Sequence, residues 1–86
     1  MYELVFEKSA LKDYEKILRS PYKKQIPALF QVLEEDPYEP PYEKLSGKLQ
    51  GFYSRRINIQ HRLVYRVDEE AKTVVILRMW THYGDN

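Results

Sequence analysis

The sequence predicts a small α+β domain in which two N-terminal helices pack on one face of a mainly antiparallel, four-stranded sheet. Apolar residues recur with helical spacing in the first half of the chain, whereas the second half alternates polar and apolar residues between short turns. The resulting order of strand, helix, helix and three strands is typical of helices that cover one side of a sheet. With 86 residues, the chain has the length of one domain, residues 1–86, with one modest core.

The first half contains a short strand and both predicted helices. Alternation over residues 2–7 predicts a strand at the edge of the sheet. Ser9 precedes the first apolar stripe and is the predicted N-cap of the first helix. Ser20–Pro21 ends that helix and starts the next, with the serine as cap and the proline at the first helical position. Pro27 lies inside the second stripe, so we expect a kink or a short break there, and the pattern ends at Asp36–Pro37.

The second half begins with a loop rich in proline and tyrosine, residues 36–51. Proline stiffens such a loop, so it is unlike a flexible linker. Three strands are predicted at about residues 51–58, 61–67 and 73–80, and a polar turn at residues 68–72 joins the last two.

The composition excludes several classes of site. The chain has no cysteine, which rules out disulfides, thiolate metal sites and cysteine nucleophiles. His61 and His82 lie too far apart for a compact His-x-x-x-His motif, so we expect neither a metal nor another cofactor. No apolar run approaches the roughly 20 residues that span a bilayer, and the acidic N-terminus lacks a signal-peptide core. We therefore expect a cytoplasmic protein without a membrane partner.

Charge is unevenly distributed along the chain. The chain is nearly neutral overall, with 14 Lys+Arg against 13 Asp+Glu, yet the stretch from residue 44 to residue 66 contains no acidic residue. Its cations are Lys44, Lys48, Arg55, Arg56, Arg62 and Arg66. Such a patch attracts polyanions, nucleic acid among them.

Strand alternation separates these cations into two faces. Over residues 53–67 the odd positions are mostly apolar and should face the helices, whereas the even positions carry Arg56, Arg62 and Arg66 on the uncovered face. If the turn keeps this parity, Arg56 and Arg62 are close neighbours, and opposing like charges costs several tenths of a kcal/mol. That cost indicates an anionic ligand such as phosphate, which suits the planar guanidinium. The alternative is a solvated face whose arginines protect an exposed sheet surface.

The motifs in this region resemble those of a known family. The segments GFYSRRI at residues 51–57 and HRLVY at residues 61–65, with His82–Tyr83 near the end, are similar to the YoeB (Txe) branch of the RelE/ParE toxin superfamily. The resemblance extends over the whole chain in size and element order. It implies a RelE/microbial-RNase-like fold and a ribosome-dependent endoribonuclease that cuts mRNA in the ribosomal A site. It also implies a YefM-like antitoxin that neutralises the toxin.

The resemblance also implies catalytic roles for particular residues. Metal-independent RNA cleavage uses the 2′-hydroxyl as nucleophile and needs a base, cationic groups for the phosphorane oxygens and an acid for the leaving oxygen. By resemblance, Glu43 is the general base, Arg62 stabilises the transition state and Arg56 supports the phosphate. His82 is the general acid, and Tyr83 stacks on or orients a nucleotide.

The remaining basic residues have supporting roles in this interpretation. Lys44, Lys48 and Arg55 are expected to dock on rRNA or mRNA, and His61, at an odd position, is expected to be structural. Without the resemblance, Glu43 would be read as an exposed loop acid, and the arginines as surface residues.

Two further functions use the same scaffold. A ParE-like gyrase inhibitor would need no acid–base set, so Glu43 together with His82–Tyr83 argues against it. A non-catalytic module would bind RNA or an antitoxin through the basic face alone and form no product. The expected partners of a nuclease are the YefM-like antitoxin, the 70S ribosome and its mRNA, with a second copy of the chain as a further candidate.

Overall fold

The computed structural model describes residues 1–81, with side chains through residue 80. The helices and strands in chain order are β1 Glu3–Phe6, α1 Lys8–Leu18, α2 Ile26–Glu35, β2 Glu43–Lys44, β3 Tyr53–Arg56, β4 Arg62–Asp68 and β5 Thr73–Thr81. Two 3₁₀ helices, Pro21–Gln25 and Gly47–Leu49, precede α2 and β3. None of the described helices is long and apolar enough to cross a membrane.

The strands form one sheet in the order β1–β5–β4–β3–β2. β1 is parallel to β5, and every other neighbouring pair is antiparallel. The predicted α+β architecture and the edge position of the first strand are confirmed. The predicted count of four strands is wrong by one, because β2 is a two-residue strand inside the proline–tyrosine loop and is too short to show alternation.

The core lies between the helices and one face of the sheet. The odd positions of β4 face the helices as predicted, since Leu63 and Tyr65 belong to the buried core cluster and Val64 between them does not. The buried apolar residues of this core are Ala10, Ile17, Ile26, Leu33, Ile57, Leu63, Tyr65, Val74, Ile76 and Met79. The opposite face of β3 and β4 is therefore the one left for a site.

The predicted helix boundaries are correct for the second helical region and wrong for the first. Ser20 caps the segment that begins at Pro21, because its Oγ accepts a hydrogen bond from the Tyr22 N–H at 3.1 Å. The expected break near Pro27 is the change from 3₁₀ to α geometry between residues 25 and 26. Ser9 is not an N-cap, because α1 already begins at Lys8.

Ser9 and Asp13 instead cover the edge of β5 beyond the end of β1. The Ser9 hydroxyl donates to the Leu77 carbonyl at 2.8 Å. One turn later, Asp13 Oδ2 accepts from the Met79 N–H at 3.0 Å and from the Trp80 N–H at 3.3 Å. These contacts satisfy backbone groups of β5 that have no neighbouring strand on that side. The hydroxyl of Ser9 is therefore used for a contact with the sheet and not to cap α1.

An ion pair completes the Asp13 contact. Arg78 Nε donates to Asp13 Oδ2 at 2.8 Å, and only 3% of the Asp13 side chain is exposed. Burial raises the pKa of Asp13, but hydrogen bonds from Arg78 and from the Met79 N–H outweigh burial and lower it overall. Asp13 is therefore a buried, charged link between α1 and the end of β5.

Candidate active site

The β3–β4 hairpin places two arginines side by side. Arg56 and Arg62 are directly opposite each other in the antiparallel register. The turn is closed by Asn58, whose Oδ1 accepts from the N–H groups of Gln60 at 2.6 Å and His61 at 2.7 Å. The predicted proximity of the two arginines is therefore confirmed.

Arg62 is buried, which corrects the expectation of an uncovered arginine. Only 4% of the residue is exposed. Its Nε donates to the Oγ of Ser54, which is itself fully buried, and its Nη2 forms an ion pair with Glu43 Oε1. The cause is β2, in which Glu43 lies directly opposite Ser54 and so on the same face of the sheet. Sequence alternation identified the face but could not show that β2 supplies a partner there.

These residues surround a pocket at the end of the sheet. The pocket has a volume of about 260 Å³ and is lined by Pro41, Tyr42, Glu43, Arg56 and Arg62. The Glu43 side chain is 55% exposed, and Arg56 is exposed as well. A proton acceptor and two guanidinium groups thus face one space that is large enough for a phosphodiester.

Three contributors to this site were not predicted from the sequence. Pro41 and Tyr42 belong to a loop without periodicity, so no pattern distinguishes them from their neighbours. Ser54 lies at an even position of the basic motif, and that parity was the one signal that could have identified it.

Arg55, which was expected to dock on RNA, lies on the other face of β3 and does not line the pocket. Only 5% of the residue is exposed, and its Nη1 donates to the Glu39 carbonyl at 2.6 Å. Its guanidinium is therefore separate from the pocket that Arg56 and Arg62 line.

The two lysines are exposed but do not line the pocket. Lys44 lies opposite Tyr53 in the β2–β3 register, which puts it on the face opposite to Glu43. Lys48 is exposed on the second 3₁₀ helix. Both are available to a large polyanion at the periphery of the site.

His61 is part of the structure, as expected. It is nearly buried, and its ring stacks on Trp80 with centroids 3.8 Å apart and lies 5.9 Å from the ring of Tyr22. The cluster fixes the start of β4 immediately before Arg62.

His82 and Tyr83, the candidate acid and stacking residue, lie outside the described residues. β5 is described as far as Thr81, which is opposite Arg62 in the β4–β5 register. Within the described part of the chain, no group of three or more His, Cys, Asp or Glu residues could hold a metal ion.

Comparison with known proteins agrees with the motifs and the fold. The family model for the YoeB-like toxin of bacterial type II toxin–antitoxin systems matches residues 6–83. The toxin YoeB of Mycobacterium bovis is 38% identical over 64 residues, which is 70% of this chain and 71% of that protein.

Solved structures give the same result. A YoeB/ParE toxin from Agrobacterium tumefaciens superposes with a TM-score of 0.84 at 30% identity, over 94% of this chain and 99% of that one. YoeB from Staphylococcus aureus, at 32% identity, superposes with a TM-score of 0.78 in a heterotetrameric complex with YefM, over 96% and 99% of the two chains. The dimer of that toxin gives a TM-score of 0.80, over 95% and 98%. The chain therefore belongs to the YoeB-like toxins of bacterial type II toxin–antitoxin systems.

Proposed function

We propose that this chain is a ribosome-dependent endoribonuclease that cleaves mRNA without a metal, using the RNA 2′-hydroxyl as nucleophile. One observation carries the proposal: Glu43 and Arg62 form an ion pair on the wall of a pocket that Arg56 also lines. A base beside two phosphate-binding cations is the arrangement that this reaction requires.

In the proposed mechanism, the scissile phosphate enters the pocket and competes with Glu43 for the guanidinium of Arg62. Glu43 then accepts the proton of the 2′-hydroxyl while the 2′-oxygen forms a bond to phosphorus. Arg62 and Arg56 stabilise the negative charge that develops on the phosphorane oxygens. The P–O5′ bond breaks, His82 donates a proton to the departing 5′-oxygen, and a 2′,3′-cyclic phosphate remains on the upstream fragment.

Binding of the large substrate would involve residues around the pocket. We propose that Lys44 and Lys48 contact the RNA backbone, together with Arg56, and that Tyr83 stacks on a base. We place the reaction in the cytoplasm, on mRNA in the 70S ribosome.

The solved Staphylococcus aureus assemblies suggest protein partners. That toxin forms a complex with YefM and a dimer, and we propose a YefM-like antitoxin and self-association for this chain. Co-purification with the antitoxin and sedimentation of the isolated toxin test the two proposals.

Single-turnover cleavage of ribosome-bound mRNA, read by primer extension, tests the nuclease function. Glu43→Gln should lower the rate about 100-fold or more, since it removes the general base. Glu39→Gln changes an exposed glutamate of the same loop and is the matched control, expected to cleave like the parent.

A message with one 2′-deoxynucleotide at the cleaved position should resist the parent. Cleavage of that message, or parent-like cleavage by Glu43→Gln, would refute the mechanism. Inhibition of gyrase supercoiling by a parent that leaves mRNA intact would favour the ParE-like alternative.

A further inference from the structure

The loop that carries Glu43, residues 36–44 and here called the carboxylate loop, is held by side chains on the core face of the sheet. The Tyr65 hydroxyl donates to the Pro37 carbonyl at 2.6 Å. The Tyr53 ring contacts those of Tyr38 and Tyr42, with centroids 5.9 and 5.5 Å apart. The loop is therefore packed against side chains of β3 and β4 on the face opposite to the pocket.

Arg55 is the charged member of this support. Its Nη1 donates to the Glu39 carbonyl at 2.6 Å, and the residue is 5% exposed. Burial raises the pKa of the Tyr65 hydroxyl, and the neighbouring Arg55 guanidinium opposes that rise. Among residues 1–80, no carboxylate lies within ion-pair distance of Arg55. Because burying a guanidinium is costly, the hydrogen bond to the Glu39 carbonyl offsets part of the cost of burying Arg55.

The contact has a direct consequence for Glu43. The Glu39 carbonyl lies four residues before Glu43, and Pro40 and Pro41 between them restrict the backbone. Fixing that carbonyl therefore fixes the position from which the Glu43 carboxylate meets Arg62. A misplacement of about 1 Å in a catalytic group can cost on the order of 100-fold in rate.

We propose that Arg55 is a positioning residue that sets Glu43 against Arg62 by holding the carboxylate loop through the Glu39 carbonyl. The inference rests on the proposed nuclease function for its kinetic consequence, but the hold on the loop is measurable without cleavage. In this proposal the two adjacent arginines of the motif have different roles, because Arg56 faces the pocket whereas Arg55 faces the core.

Cleavage kinetics on programmed 70S ribosomes test the kinetic consequence, with Arg56→Met as the matched comparison. Arg55→Met should lower kcat about 10- to 100-fold, leave KM within about twofold, and leave the salt dependence of ribosome binding unchanged. Arg56→Met should instead lower the salt slope by about one. Arg55→Lys keeps the charge and an N–H that can donate to the Glu39 carbonyl, so its kcat should lie between those of the parent and Arg55→Met.

Hydrogen exchange of the free toxin tests the hold on the loop without cleavage. The Leu45 N–H donates to the Phe52 carbonyl at 3.0 Å at the end of the carboxylate loop. Arg55→Met should accelerate exchange of this amide about tenfold, the effect of losing one charge-assisted hydrogen bond, whereas Arg56→Met should not change it. Tyr65→Phe removes the hydrogen bond to the Pro37 carbonyl and should also accelerate exchange of the Leu45 amide. It is the variant to measure if Arg55→Met folds poorly.

The outcomes distinguish this inference from the proposed function. If the parent does not cleave mRNA, the proposed nuclease function is refuted. Faster hydrogen exchange of the Leu45 amide in Arg55→Met would still show that Arg55 holds the carboxylate loop. Unchanged exchange in Arg55→Met would overturn the positioning role. A reduced salt slope with parent-like kcat would also overturn it and would indicate that Arg55 contacts the RNA.

Discussion

Replacing Asp13 by asparagine should lower the free energy of unfolding by about 2 kcal/mol at neutral pH. The carboxylate accepts hydrogen bonds of 2.8, 3.0 and 3.3 Å from Arg78, Met79 and Trp80. Hydrogen bonds to a charged group contribute about 1 kcal/mol more than those to a neutral one, which gives about 3 kcal/mol for these three; a fourth, from Arg78 Nη2 to Oδ1 at 3.4 Å, is the longest and adds least. The neutral amide recovers part of the cost of burying the charge, and about 2 kcal/mol remains.

This difference should depend on pH in a defined direction. The pKa of Asp13 is lowered in the folded protein, so the unfolded chain binds the proton more readily. The stabilisation by Asp13 is then complete above the unfolded pKa of about 3.9 and is lost as pH falls through the lower, folded pKa. The stability gap between the parent and Asp13→Asn should be constant from about pH 5 to 8 and should narrow below about pH 4.

Urea unfolding followed by Trp80 fluorescence measures the gap, since this is the single tryptophan of the chain. A loss of about 2 kcal/mol corresponds to a decrease of roughly 8–16 °C in Tm for a domain of this size. Asp36→Asn is the control, because Asp36 is exposed and an amide oxygen can accept the same bond from the Tyr38 N–H. Equal stability of parent and Asp13→Asn at pH 7, or a gap that persists unchanged at pH 3, would refute the reasoning.

Two further substitutions test the support of the site. Ser54→Ala removes the acceptor of the hydrogen bond from the buried Arg62 Nε. It should lower the free energy of unfolding in urea by about 1–3 kcal/mol and should slow mRNA cleavage. Parent-like values of both would show that Ser54 does not hold Arg62. Gly51 has a φ of 94°, and the space that a Cβ would occupy there is open, so Gly51→Ala should cost about 1–2 kcal/mol from backbone strain alone, and an unchanged Tm would contradict that origin.

Local patterns predicted the architecture and the pairing of Arg56 with Arg62. Both depend on short-range features, namely alternation in the strands and a tight turn between them. The burial of Arg62 was not predictable in this way, because its partner Glu43 comes from a two-residue strand that forms only through pairing with β3.

Two other contacts, those of Ser9 and Arg55, were not predicted from the sequence. Ser9 is used to complete the edge of β5 rather than to cap α1, a demand that arises only after the helix packs on the sheet. Arg55 was assigned to the basic patch by its charge, although its odd position already placed it on the helix-covered face. Its partner, a backbone carbonyl in a loop, leaves no trace in sequence.

A double-mutant cycle on the rate of ribosome-dependent cleavage tests whether Glu43 and Arg62 act on the same phosphodiester. Residues that act as a unit are strongly non-additive, so the Glu43→Gln, Arg62→Lys double variant should be hardly slower than the slower single variant. Single-variant losses that multiply in the double variant would contradict a shared catalytic centre.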